Sequence, residues 1–266
     1  MLFDTHAHLN DEAFDEDRDQ LLETFHGSGV GWVLNASYSL ESSVTSIALA
    51  EKYDWIYASV GTHPDTADEV NEEVLGAYRK LSQHPKVKAI GEIGLDYHYE
   101  TIHREQQQWA FRAQMALARE LDLPVIVHER EAHEDGMAII REFPGVTGVF
   151  HCYSGSAEMA RQLVDLGWYI GFTGVLTFKN ARKAVETAAS IPLERILLET
   201  DCPYMSPEPF RGRRCHPGML PYMAKKLAEI RGISEEEVTR VTTENAMRMY
   251  RMDVSVKGHP PGAPLR

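Results

Sequence analysis

Histidines and carboxylates at the ends of apolar segments are the residues here whose types and spacing could do chemistry. His6 and His8 form an H-x-H directly after the apolar start of the chain. Side chains two apart on an extended segment point the same way, so both can grip one ion. Glu92 closes an apolar run in AIGEIGLDY, His128 closes one in LPVIVHER, His151 one in GVFHCYSG and Asp201 one in RILLETDCP. One histidine after a buried strand is usually a hydrogen-bonded structural residue. Five separate strand ends that all present metal-capable groups point to a shared metal site. Six ligands suit two ions better than one, because a single catalytic zinc usually takes three protein ligands. Glu92 suits a bridging place, since one carboxylate offers two oxygens, and paired ions lie ~3.5–4 Å apart.

The elements that must position these groups follow from hydrophobic patterning. Strands are expected at 1–5, 31–36, 55–60, 87–93, 124–127, 148–150, 168–172 and 195–198, most of them apolar on both faces as in buried parallel sheets. Helical spacing fills the gaps at 14–26, 40–51, 71–83, 102–120, 133–142, 157–165, 179–189 and 219–231. Ser234 and Glu237 form a capping box that opens a last helix over 235–250. Eight strand–helix units predict a (β/α)8 TIM barrel in one domain over 1–252, with an open doubly wound sheet as the runner-up. The strand ends of a barrel converge on one mouth, which would gather all six residues. The Pro- and Gly-rich stretch 253–266 reads as a frayed tail.

The chain has 266 residues, enough to bury a large core without disulfides or a structural metal. Forty acidic against 27 basic residues leave a net charge of −13, which opposes non-specific coating of polyanions or anionic membranes. Three cysteines, Cys152, Cys202 and Cys215, form no disulfide framework, and no apolar run is long enough to span a bilayer. The expectation is a cytoplasmic protein without membrane association. Cys152 and Cys202 each follow a ligand directly, so strand alternation should turn them away as packing residues.

The motifs DTHAHL, GTHP, GEIGLDY, PVIVHER, HCYSG and LETDCPY, followed by PFRGRR and TTENAMRMY, resemble the TatD family of metal-dependent deoxyribonucleases from residue 1 to about 250. The resemblance implies a distorted, amidohydrolase-like TIM barrel with a binuclear metal centre and 3′-5′ exodeoxyribonuclease activity. It implies that His6, His8 and Asp201 hold one ion, that His128 and His151 hold the other, and that Glu92 bridges. The ions would be Zn, Mn, Mg, Co or Ni; imidazoles with carboxylates suit the transition metals better than an all-oxygen magnesium site.

The expected chemistry is phosphodiester hydrolysis by metal-activated water, with Asp201 as proton acceptor and Glu92 completing the catalytic pair. Single-stranded DNA or an oligonucleotide is the expected substrate. His63, Tyr97, Arg130 and Arg213 are the candidate substrate contacts, Arg213 from the basic segment Arg211–Arg214. The alternative is a two-metal hydrolase of a small amide, ester or lactone, or of aminoacyl-tRNA. One departure from the family is Cys215-His216 where many relatives carry Asn-Glu.

Overall fold

The computed structural model describes residues 1–26, 29–99 and 102–252. Eight strands run β1 (Leu2–Ala7), β2 (Val30–Asn35), β3 (Ile56–Val60), β4 (Val87–Asp96), β5 (Val125–Arg130), β6 (Gly148–Phe150), β7 (Tyr169–Phe172) and β8 (Ile196–Leu198). They pair in parallel in sequence order. Beyond β8 the chain returns to β1: the Asp201 amide donates to the His6 carbonyl (2.9 Å) and the His8 amide to the Cys202 carbonyl (2.8 Å). These bonds draw the sheet into a nearly closed barrel and set Asp201 beside the H-x-H. The expected barrel is therefore the observed one, and the open sheet is excluded. The stretch 253–266 lies outside the described residues.

Nine helices among the described residues surround the strands: α1 (Arg18–Phe25), α2 (Leu40–Lys52), α3 (Glu72–Leu81), α4 (Arg104–Leu121), α5 (His133–Arg141), α6 (Ala157–Asp165), α7 (Arg182–Ser190), α8 (Leu220–Arg231) and α9 (Glu235–Met249). Their starts follow local chemistry. Ser39, Asn71, Ser156 and Ser234 accept backbone N–H bonds at their N-caps, satisfying donors that the first turn leaves free. The first expected helix begins later than its pattern suggested, because Asp11 caps a short 3-10 turn at Glu12–Phe14 instead.

Strands β4 and β5 run three residues further than expected, so Glu92 and His128 lie within strands rather than at their ends. Glu92 sits at an irregularity: Ile90 pairs with Val125 and Ile93 with Val127, so β4 carries one extra residue. Such a bulge re-aims a side chain. The peptide bond between Gly91 and Glu92 is cis. The Glu92 amide donates to the Ser37 carbonyl (2.6 Å), and the Ser59 hydroxyl donates to the Gly91 carbonyl (2.5 Å). Both serines are fully buried. A Cβ on Gly91 would stand 2.6 Å from Cβ of Ile126, too close for either atom to remain in place. Gly91→Ala should therefore cost about 3 kcal/mol and lower Tm by ~6–12 °C in a thermal melt; a Tm within about a degree of the parent would refute this reading of the bulge.

Candidate metal centre

The barrel mouth collects side chains from six strands. His6 comes from β1 and His8 from the residue after it; Glu92 and Asp96 come from β4 and His128 from β5. His151 directly follows β6, Asp201 follows β8, and His63 follows β3. His6, His8, Glu92, His151 and Asp201 are all buried. Asp201 has a left-handed backbone (φ 54°), a conformation that aspartate tolerates better than most residues and that clusters at functional sites.

The two oxygens of Glu92 face two different groups. Its Oε2 lies 3.3 Å from His6 Nε2 and 3.5 Å from His8 Nε2. Those nitrogens are 3.1 Å apart and stand 3.7 and 3.5 Å from Asp201 Oδ1. Its Oε1 lies 2.9 Å from His128 Nδ1, 2.6 Å from His151 Nε2 and 3.7 Å from His63 Nε2. Atoms held tetrahedrally ~2.0–2.2 Å from one ion are about 3.3–3.6 Å from each other. The spacing around Oε2 fits that requirement, and the donor set is mixed imidazole and carboxylate, as transition metals prefer. His8 is already oriented: its Nδ1 sits 3.0 Å from the Ala36 carbonyl, which can only accept. Nδ1 therefore carries a proton, and Nε2 is the nitrogen left to hold an ion.

Burial disfavours charge throughout this cluster, yet its members charge one another. Burial alone would raise the Glu92 carboxyl, but His151, His6 and His128 outweigh it and hold Glu92 well below the usual range. Burial would lower the His128 imidazolium, but Asp96 and Glu92 lift it to about 9. His151 is held well above its usual value by Glu92 and Glu199 against the same burial. Without metal at neutral pH, His128 and His151 thus carry protons that compete for the ligand nitrogens. Loading a divalent ion should release about two protons, and affinity should weaken as pH falls. Calorimetric titration in buffers of different ionisation enthalpy would show this, and an equal heat in every buffer would refute it.

Two residues complete the cluster that the reading of strand ends did not include. Glu199 is fully buried beneath His6 and His151, whose rings stack 3.9 Å apart. It accepts the Cys152 amide (2.5 Å), and its Oε1 lies 3.6 Å from His151 Nδ1. His6, His151 and Glu199 form a group able to hold a cation, as do His63, Glu92 and His128. The signal for Glu199 was its spacing: it stands two residues before Asp201 in LLETD. Asp96 Oδ2 lies 3.0 Å from His128 Nε2 and so orients that ring. His63 reaches the cluster as expected, with burial lowering its imidazolium to about 3.

Two cavities of ≈ 800 and ≈ 810 Å³ open beside the cluster, sharing His8, Glu92, His128 and Asp201 in their walls. Arg130 lines both, with its guanidinium 4.9 Å from the Tyr99 ring centre. Tyr97 and Arg213, expected to meet substrate, are not brought to the cluster. The Tyr97 hydroxyl donates to Asp135 (2.7 Å) across the helices α4 and α5, so the side chain faces away from the mouth. Arg213 is exposed, lines neither cavity and lies 5.9 Å from the Phe210 ring. Its neighbour Arg214 is paired with Asp17 (2.5 Å).

Cys152 also departs from expectation. The strand ends at Phe150, and Cys152 adopts φ 41° in the turn, so alternation no longer applies and the residue lines the first cavity. Cys202 is fully buried and bridges to Ala7, as a packing residue should. His216 precedes a 3-10 turn without a side-chain capping bond, is half-buried, and is absent from both cavity walls.

Residues 3–251 match the family described as TatD related DNase. A Bacillus subtilis protein named uncharacterized metal-dependent hydrolase YabD is 43% identical, over 95% of this chain and all of its own length. An Erwinia tasmaniensis protein named 3′-5′ ssDNA/RNA exonuclease TatD is 34% identical, over 94% of this chain and all of its own. Among solved structures, YJJV, a TatD homologue of Escherichia coli K12, superposes with a TM-score of 0.89 at 31% identity, covering 95% of this chain and 98% of its own. An Escherichia coli phosphotriesterase homology protein shares the fold at 16% identity, with a TM-score of 0.69 over 94% of this chain and 98% of its own.

Proposed function

Because the chain belongs to the TatD related DNase family of metal-dependent hydrolases, we propose that it is a 3′-5′ exonuclease that hydrolyses phosphodiesters of single-stranded DNA. The observation that carries this reading is Glu92, which turns one oxygen to His6 and His8 and the other to His128 and His151. That arrangement supports a binuclear centre that Glu92 would bridge, where His6, His8 and Asp201 would hold one divalent ion and His128 and His151 the other. Bound ions there supply Lewis-acid charge and lower the pKa of a water towards ~7.

The chain's own groups do the rest. Asp201, ionised and at the cluster's edge, accepts the proton of the attacking water. His8, His128 and Asp201 line both cavities, so the centre is open to a phosphate from either cavity. Arg130 sits at the same junction with a planar fork suited to a phosphate's oxygens. Names of relatives that include 3′-5′ ssDNA/RNA exonuclease support the choice of a nucleic-acid strand. No helix among the described residues is long and apolar enough to cross a membrane.

The test is a gel assay of 5′-labelled single-stranded DNA with Mg²⁺, Mn²⁺ or Zn²⁺. The expected product is a metal-dependent ladder that shortens from the 3′ end and disappears with chelator. Internal cuts at first appearance would overturn the end preference. No cleavage in any metal would overturn the nuclease reading.

A further inference from the structure

The two cavities beside the cluster differ in charge. The first is walled by Arg182 and Lys183 at the start of α7, by Arg130, and by the rings of Tyr99, Phe178 and Tyr153. Arg182 and Lys183 are exposed and form no ion pair among the described residues. A further cation, Arg211, stands 3.6 Å from the ring centre of Phe178 and extends the same face. The second cavity carries Asp11, Glu12 and Asp65. None of these has a Lys or Arg within ion-pair distance among the described residues. Arg130 is the one Lys or Arg in that wall.

A nucleic-acid strand needs cations for its phosphates and aromatic faces for its bases. The first cavity offers both in a protein whose net charge is −13. A continuing strand would carry phosphates into the second cavity against carboxylates, where juxtaposed like charges are strongly unfavourable. A terminal nucleoside with a free 3′-hydroxyl brings no such charge and can donate that hydroxyl to a carboxylate.

We propose that the groove of Arg182, Lys183, Arg211 and Phe178 holds the 5′ body of a single-stranded substrate, and that the acidic cavity receives only its 3′-hydroxyl end. This rests on the nuclease reading above and adds to it the strand's polarity and the reason for end selection. The bulk acidity of the protein then makes the groove the one favourable approach for a polyanion.

The test measures KM for oligonucleotides of two and eight residues at several salt concentrations. For the unsubstituted protein, KM should fall about tenfold or more with the longer strand, through added stacking and phosphate contacts. Arg182→Glu with Lys183→Glu should abolish that gain and flatten the log KM against log salt slope by about 1.4. The charge-preserving pair Arg182→Lys with Lys183→Arg should retain the gain, and metal content and circular dichroism check that the reversed variant is folded. Strands ending in a 3′-phosphate should be cleaved about tenfold more slowly than those with a 3′-hydroxyl.

A length gain that survives charge reversal would overturn the groove. Equal rates on the two ends would overturn the polarity. Failure of the unsubstituted protein to cleave any strand would overturn the nuclease reading itself, and this proposal with it.

Discussion

Glu92→Gln should lower metal-dependent hydrolysis by roughly 10³-fold or more and reduce the metal bound per chain. Glu92 reaches both imidazole groups, with its two oxygens at 2.6–3.5 Å from nitrogens of His6, His8, His128 and His151. Glutamine keeps the shape but replaces one acceptor oxygen with an NH2 that can only donate. That donor would face ring nitrogens needed as ligands, so one of the two groups loses its carboxylate. A bound ion contributes several kcal/mol of charge stabilisation, and each ~1.36 kcal/mol is a factor of ten in rate. Removing the charge also takes away part of what holds His128 and His151 protonated in the metal-free protein, leaving Asp96 and Glu199 to do so, and proton release on loading should shrink as well. Metal analysis after dialysis and turnover on labelled DNA check the first two, and calorimetric titration in buffers of different ionisation enthalpy checks the third. Two retained equivalents with full turnover would sink the bridging assignment.

Asp201→Asn separates catalysis from assembly of the site. Asp201 lies at the edge of the group, 3.5 Å from His8 and 3.7 Å from His6, while Glu92 holds the centre of both groups. Burial would raise its carboxyl, but the bond to His8 and the nearby imidazoles hold it below the usual aspartate range. It is therefore ionised through neutral pH and available as a base. Asparagine preserves the left-handed backbone, which it adopts at least as readily as aspartate. The expected result is a fall in kcat of about 10²–10⁴, the usual contribution of a positioned base. Metal at the His128–His151 group should be unchanged, and affinity at the His6–His8 group should weaken by ~10–100-fold. The measurement is kcat at saturating metal, with occupancy determined in the same samples. Full turnover at full occupancy would show that another group takes the proton.

The sequence by itself determined the barrel and the metal-capable set. Eight apolar segments separated by amphipathic ones leave few packings other than parallel strands covered by helices. In that packing the strand ends must meet, so His6, His8, Glu92, His128, His151 and Asp201 were legible together from their places after apolar runs. Strand alternation is a rule about faces, and it held wherever the chain stayed extended, as for His6 and His8.

Only the tertiary structure decided the remaining points, because they depend on where alternation stops and on contacts between distant segments. The extra residue in β4 aims Glu92 between the two groups, and it arises from how β4 meets β5. Cys152 and Asp201 leave the strand geometry through positive φ, which no spacing in the sequence announces. Tyr97 is drawn from the mouth by Asp135, 38 residues later. Glu199 lies just past the end of β8, fully buried beneath His6 and His151, a depth that its place in the sequence does not specify. The difference in charge between the two cavities is likewise a property of the folded chain: Asp11, Asp65, Arg130 and Arg182 belong to four separate segments, and their fields acquire a direction only once the barrel sets them around one centre.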